Sequence, residues 1–248
     1  MIFKEFGNIN FPTMIFIHGG GLSDWSLMPI VAEFQKKFHV IAPIIDGHGE
    51  AAAETFISIS NSAAKLIHYI DTQCNGRVFA IAGLSIGAQI VTEVISQRDD
   101  ITQYAIIESA LVYPIKGIVT FTVPAYQMCY GLIKQRWFSK LQAKSLCVPS
   151  NMLEIYYNDS IKMSKQSLIN ITLSNGTYDL KETTSNTKAK VLIIVGENEI
   201  PVMKKSAQKL HQIIPGSELY IVPGMKHGEL SLKYPQNYIE ALKKLFKL

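Results

Sequence analysis

The chain has 248 residues, of which 48% are hydrophobic and 18% charged, with a net charge of +4 at neutral pH. Such apolar content excludes a disordered chain and suffices for one large core, which α/β folds of this length commonly build as a single domain. The charge is modest, and Lys243, Lys244 and Lys247 read as the solvated last turn of a helix, so nucleic acid is not expected as a partner.

Cys74, Cys129 and Cys147 lie far apart without metal-ligand spacing, which fits a reduced, cytoplasmic protein. The segment from Met1 to Phe6 has no basic stretch leading into a long apolar one, so no signal peptide is expected. The tract 109–126 carries one charge, Lys116, but Pro114, Gly117 and Pro124 interrupt it; it reads as the entry to an apolar pocket, with no membrane span.

In chain order, Thr13 to Ile17 is a short β-branched run that predicts a buried strand feeding the loop His18-Gly19-Gly20-Gly21. Residues 26–38 place Met28, Val31, Ala32 and Phe34 against polar neighbours, the pattern of an amphipathic helix. A strand over 39–42 runs into Pro43 and the turn Asp46-Gly47-His48-Gly49, and a second helix is predicted over 55–71, ending at Asn75-Gly76. The apolar run 78–82 then meets Gly83-Leu84-Ser85-Ile86-Gly87, and a helix follows over 88–95. Strand, sharp turn and helix in that order form the context in which a G-x-S-x-G sequence acts as a nucleophile elbow. A further strand is predicted over 104–107. The repeated rhythm implies a mostly parallel sheet with helices on both faces.

Between about 113 and 188 the rhythm breaks. Helix-like pieces at 126–138, 152–158 and 161–173 predict a helical insertion, with Asn151 and Glu154 as a capping pair. The core is thus 1–112 with 189–248, and the insertion is 113–188. Val191 to Val195 restores the strand pattern, followed by the loop Gly196-Glu197-Asn198-Glu199, a helix over 203–213, a strand over 218–222, the loop 223–228 and a helix over 235–246.

Ligand sites in such sheets form beyond the carboxyl ends of the strands. Those ends deliver His18, His48, Ser85, Glu108, Glu197, Glu199 and His227. A serine hydroxyl is a weak nucleophile and needs a base; His227, on the glycine-bracketed loop Gly224-Met225-Lys226-His227-Gly228, fits that role. His39, His68 and His211 fall within strand or helix patterns, and His48 reads as a packed turn histidine. Glu199 is the first choice to orient His227, with Glu197 and Glu108 as alternatives. The backbone N–H groups of Gly20 and Ile86 are the natural donors for a developing oxyanion. Trp25, Phe121, Tyr126, Tyr130 and Trp137 are candidates to line the substrate pocket.

Together, the His18 loop with Trp25, the Asp46 turn, the Ser85 elbow, the Val195-to-Glu199 loop and the His227 loop resemble the α/β-hydrolase superfamily, specifically its small cap-bearing serine hydrolases. The resemblance covers the chain except the insertion. It implies an eight-stranded, mostly parallel sheet with helices on both faces, a helical cap after the sixth strand, and a Ser-acid-His hydrolase without cofactor, with Ser85 and His227 in their places and the acid open among Glu199, Glu197 and Glu108. The family usually has Asp where Glu199 stands, and the Asp46 turn is shorter than its usual counterpart. Ser85 argues against the haloalkane dehalogenase and epoxide hydrolase branches, which have an aspartate nucleophile.

The expected reaction is acyl transfer from a small ester or thioester through an acyl-enzyme. Two alternatives use the same fold. One is C–C bond hydrolysis, or a lyase like the menaquinone-pathway synthase, which calls for converging Lys116, Lys134, Arg136, Lys140 or Lys144. The other is ligand sensing with little turnover. Substrate, chain length and oligomeric state are not legible in the sequence.

Overall fold

The computed structural model describes all 248 residues. In chain order its elements are β1 (Ile2–Phe6), β2 (Thr13–Ile17), α1 (Met28–Phe34), β3 (His39–Ile44), α2 (Ile59–Gln73), β4 (Val78–Leu84), α3 (Ile86–Gln97) and β5 (Thr102–Glu108). Four helices follow: α4 (Ile118–Cys129), α5 (Arg136–Ser145), α6 (Leu153–Ser160) and α7 (Lys165–Thr177). The chain then returns through β6 (Lys190–Gly196), α8 (Pro201–Ile213), β7 (Glu218–Val222), α9 (Glu229–Lys233) and α10 (Pro235–Phe246).

The strands form one sheet in the order β1-β3-β2-β4-β5-β6-β7, parallel throughout except β1, which runs antiparallel to β3 with Ile2 opposite Ile44. It has seven strands, not the expected eight. Only residues 7–12 separate β1 from β2, too few for a further strand with its turns. Gly7 makes that link tight: at φ +81° it lies so close to the carbonyls of Gln35 and Phe38 that a Cβ would collide with them. With one strand fewer at the start, the insertion follows the fifth strand here.

The sheet is covered on both faces, so its inner strands are nearly continuous apolar runs. Alternation along β2 still sorts the two cores. Ile15 and Ile17 join Leu66, Val91, Ile107 and Leu210 under α2, α3 and α8, whereas Met14 and Phe16 join Val31, Tyr238, Leu242 and Phe246 under α1 and α10. Each fully buried aliphatic side chain of this kind contributes about 1.5–3 kcal/mol. The Ser58 hydroxyl caps α2 by accepting from Asn61 N, and the helix gives way to Asn75 and Gly76, both at positive φ.

The chain leaves β2 toward β3 on one side and crosses to β4 on the other. The order therefore reverses between β2 and β4, the place where α/β sheets open a crevice at their carboxyl edge. The helices α4 to α7 are tied to that edge. Trp25 Nε1 donates to Asp159 at 3.0 Å, Asn170 Nδ2 donates to Phe56 O at 2.8 Å, and Gln89 Nε2 bridges Leu111 O and Asn175 O. A small apolar cluster that includes Leu22, Trp25, Leu84, Val148 and Tyr156 fills the seam.

Two details of this region differ from the sequence reading. The helix expected over 126–138 is two helices, because α4 begins at Ile118 and a 3-10 turn over Tyr130–Lys134 separates it from α5. Gly117 and Pro124 misled that reading: Gly117, at φ +79°, starts α4, and Pro124 is carried inside it. The Asn151 and Glu154 cap does not form. Helix α6 begins after Met152 without a side-chain cap, and Glu154 instead pairs with Arg136 at 2.6 Å.

Candidate active site

Ser85 stands between β4 and α3 at φ +55°, ψ −115°, a conformation that costs a non-glycine residue about 1–3 kcal/mol. Its neighbours hold it there. A Cβ on Gly83 would collide with the Gly87 carbonyl, and one on Gly87 would lie 2.6 Å from the carbonyl oxygens of Ile17 and His18. These two glycines therefore let strand, turn and helix close on one another. Ser85 N donates to Glu108 O at 2.8 Å, which pins the apex to β5.

The histidine loop comes to the same edge. Gly228, at φ +64°, packs so tightly that a Cβ would meet Leu84 Cδ1 at 3.0 Å, one residue before the serine. The loop after β6 clamps it from the other side: Asn198 N donates to Met225 O at 2.8 Å, Asn198 Nδ2 to Gly224 O at 2.9 Å, and Gly224 N to Glu197 Oε2 at 2.8 Å. Glu197 is thus a brace for the loop.

Glu199 is the carboxylate that reaches the imidazole, with Oε2 2.8 Å from His227 Nδ1. Its side chain is fully buried, and Oε1 accepts from Ser109 Oγ at 2.6 Å and Gly196 N at 2.9 Å. Burial pushes this carboxyl up, but the bond from His227 and those from Ser109 and Gly196 outweigh it and hold the group below the usual carboxylate range. An ionised Glu199 only accepts, so the proton on His227 sits at Nδ1 and the Nε2 lone pair is free. Ser109, itself at φ +56°, is a residue the sequence reading missed. Nothing in a lone serine after a strand announces that role.

Glu108 is fully buried below this site. Oε1 accepts from Ser231 N at 3.3 Å, and Oε2 has no partner. Burial raises its carboxyl to about 7. It touches neither His227 nor the serine cavity, so of the three candidate acids only Glu199 orients the histidine.

Ser85, Glu199 and His227 line one cavity of about 370 Å³, walled by Leu111, Ile115, Val202 and Met203, with Lys226 at its side. No hydrogen bond joins Ser85 Oγ to His227 Nε2; such contacts commonly tighten only when substrate binds. Gly20 and Ile86 abut each other, since a Cβ on Gly20 would meet Ile86 Cγ2 at 3.6 Å. Ile86 is the first residue of α3, so its N–H has no partner within the helix and sits at the positive end of the helix dipole. Gly21, at φ +76°, is the position in this loop that requires glycine. His18 fixes the loop: its buried ring donates from Nδ1 to Gly19 O at 2.9 Å and accepts from Ile45 N at 3.1 Å. Burial, reinforced by the neighbouring His48, lowers His18 to about 3, so it stays neutral. His48 is buried apart from the cavity, held at Asp46 O and lowered by burial to about 4.

The aromatic candidates for pocket walls lie elsewhere. Phe121 and Trp137 are mostly exposed, Tyr126 bonds Thr172, Tyr130 bonds Met163 O, and Trp25 belongs to the seam beside Val148. Among the basic side chains singled out in the insertion, none lines the cavity. No group of three or more His, Cys, Asp or Glu is gathered as a metal site.

A family model described as "Serine aminopeptidase, S33" matches residues 11–231. Among curated protein sequences there is no match. The fold is similar to that of a bromoperoxidase from Bacillus anthracis (TM-score 0.81, 18% identity, 99% of this chain and 95% of the other). It is also similar to an enol-lactonase from Burkholderia xenovorans LB400 (0.80, 17%, 100% and 96%) and a thermophilic esterase from Thermogutta terrifontis (0.78, 13%, 99% and 92%). At these identities the likeness extends to the fold alone.

Proposed function

Starting from the fact that the chain belongs to the S33 serine aminopeptidase family of α/β-hydrolases, we propose that it is a serine hydrolase of small esters or thioesters working through an acyl-enzyme. The observation that carries this reading is the buried Glu199 carboxylate 2.8 Å from His227 Nδ1, on a cavity that the strained Ser85 shares. In this scheme His227 Nε2 takes the Ser85 proton as Oγ attacks the acyl carbon. The oxyanion that forms is held by the N–H groups of Gly20 and Ile86. Collapse expels the alcohol or thiol, which leaves with the proton from His227. Water then repeats the sequence on the acyl-serine and releases the acid. Ionised Glu199 favours the imidazolium formed in each half and keeps the ring in the productive tautomer.

The cavity supports an acyl substrate over a peptide amino terminus. A substrate ammonium calls for a free carboxylate, but the carboxylate lining the cavity, Glu199, is engaged by three donors, and the free charge there is the cation Lys226. The C–C hydrolase or lyase reading calls for several converging cations, and Lys226 alone does not provide them. We further propose that residues 113–188 act as the cap over this cavity, because Ile115 and Asn175 form part of its wall.

The test is turnover of chromogenic esters and thioesters of increasing acyl length, with Ser85→Ala as control. The scheme predicts hydrolysis that falls off once the acyl chain exceeds the cavity and vanishes in Ser85→Ala. Turnover unchanged by that substitution would exclude Ser85 as nucleophile.

A further inference from the structure

Helix α4 has no charged residue, and of its twelve side chains only Thr122 is buried. Phe121 is 71% exposed and Met128 85%, with Val119 and Val123 also exposed. An uncharged helix whose exposed side chains are mostly apolar ordinarily sits in apolar surroundings. Beyond the 3-10 turn Tyr130–Lys134, which packs on both helices, Trp137, Lys140, Leu141 and Lys144 share one outward stripe of α5, apolar and cationic side chains interleaved at helical spacing.

The charges say what the surroundings are. Residues 109–153 contain five Lys or Arg and no Asp or Glu. Arg136 is taken by Glu154 and by the face of Tyr157. Lys116, Lys134, Lys140 and Lys144 are exposed and outside every ion pair. A two-fold contact with a second copy would bring these lysines together with no acid on either side to pair them. An anionic lipid surface supplies the missing negative charge and takes the apolar side chains at the level of the headgroups. At twelve residues α4 is about 18 Å long, well short of the roughly 30 Å of a bilayer core, and no helix of the protein is long and apolar enough to cross a membrane.

We propose that α4 and α5 dock on anionic lipid surfaces, with α4 lying along the interface, Phe121 and Met128 inserted, and the lysines on headgroup phosphates. Ile115, just before α4, lines the Ser85 cavity, so the docking face adjoins the cavity wall. The proposal does not depend on the catalytic reading, because flotation reads binding without turnover.

The test is flotation of the full chain carrying Ser85→Ala with vesicles of phosphatidylcholine alone and of phosphatidylcholine mixed with phosphatidylglycerol, at low and high salt. Binding to the mixed vesicles is expected to exceed binding to neutral ones by roughly tenfold or more, and to weaken as salt rises. Lys140→Glu with Lys144→Glu, and separately Phe121→Ser with Met128→Ser, are each expected to lower it about tenfold. The same pairs in the active background should leave circular dichroism and hydrolysis of a water-soluble ester unchanged. Absence of binding to mixed vesicles overturns the proposal, as does binding that neither pair affects. A dimer seen by sedimentation velocity, abolished by the Phe121 and Met128 pair and unaccompanied by lipid binding, also overturns it in favour of self-association.

Discussion

The carboxyl edge of the sheet and the α4–α5 stretch treat similar side chains in opposite ways. At the edge, the buried polar groups nearest Ser85 are answered one by one, Glu199 by three donors and His18 at both ring nitrogens, with Glu108 below them keeping one oxygen unpaired. In α4 and α5, apolar side chains stand in solvent and lysines stand without acids. The edge thus meets the needs of Glu199 and His18 within this chain, whereas α4 and α5 leave apolar side chains exposed.

The contrast is sharpest within the acids at the edge, where the largest effect is expected. Glu199→Gln should lower kcat for a chromogenic ester by about 10²- to 10⁴-fold, because the ring loses both its orientation and its counter-charge. Glu197→Gln removes only a brace and should stay within about tenfold. Equal losses would mean that the two carboxylates share the role.

Stability separates the regions next. Leu66, on the inner face of α2, is fully buried, so Leu66→Ala should cost about 2–5 kcal/mol in denaturant unfolding. Phe121→Ser, although it removes a larger apolar group, should stay within about 0.5 kcal/mol, since that side chain has little packing to lose. A large loss at Phe121 would show that α4 is packed in solution and would erase the contrast.

Glu108 offers a smaller, pH-dependent effect. Burial raises it from 4.5 to about 7, so between those values the folded protein keeps a proton that the unfolded chain has released. Stability is therefore lost as pH rises through this window, by roughly 3 kcal/mol once it is passed. Glu108→Gln removes that loss, and its melting temperature relative to the unaltered protein should rise between pH 5 and pH 8. A difference independent of pH would show that Glu108 does not titrate there.

Much of the edge was legible because glycines and strand ends carry position. Gly83 and Gly87 flank Ser85 for steric reasons that the local sequence states, and the loops of Glu199 and His227 follow apolar runs too short to be anything but strands. The choice among Glu108, Glu197 and Glu199 was not legible, since it turns on which carboxylate points at His227 across 28 residues. The β1 strand was missed because its side chains are only half buried and lack a clear pattern. The exposure of α4 was hidden for the opposite reason: its composition is that of a core helix, and a sequence does not say whether apolar side chains find partners within the same chain.

The most direct measurement of the central claim, that Ser85 is the nucleophile of a site completed by Glu199 and His227, is intact-protein mass spectrometry after incubation with a fluorophosphonate. The account predicts one adduct per chain on the peptide containing Ser85, absent in Ser85→Ala and formed at least about a hundredfold more slowly in His227→Ala. An adduct on another residue, or labelling at an unchanged rate without His227, would contradict it.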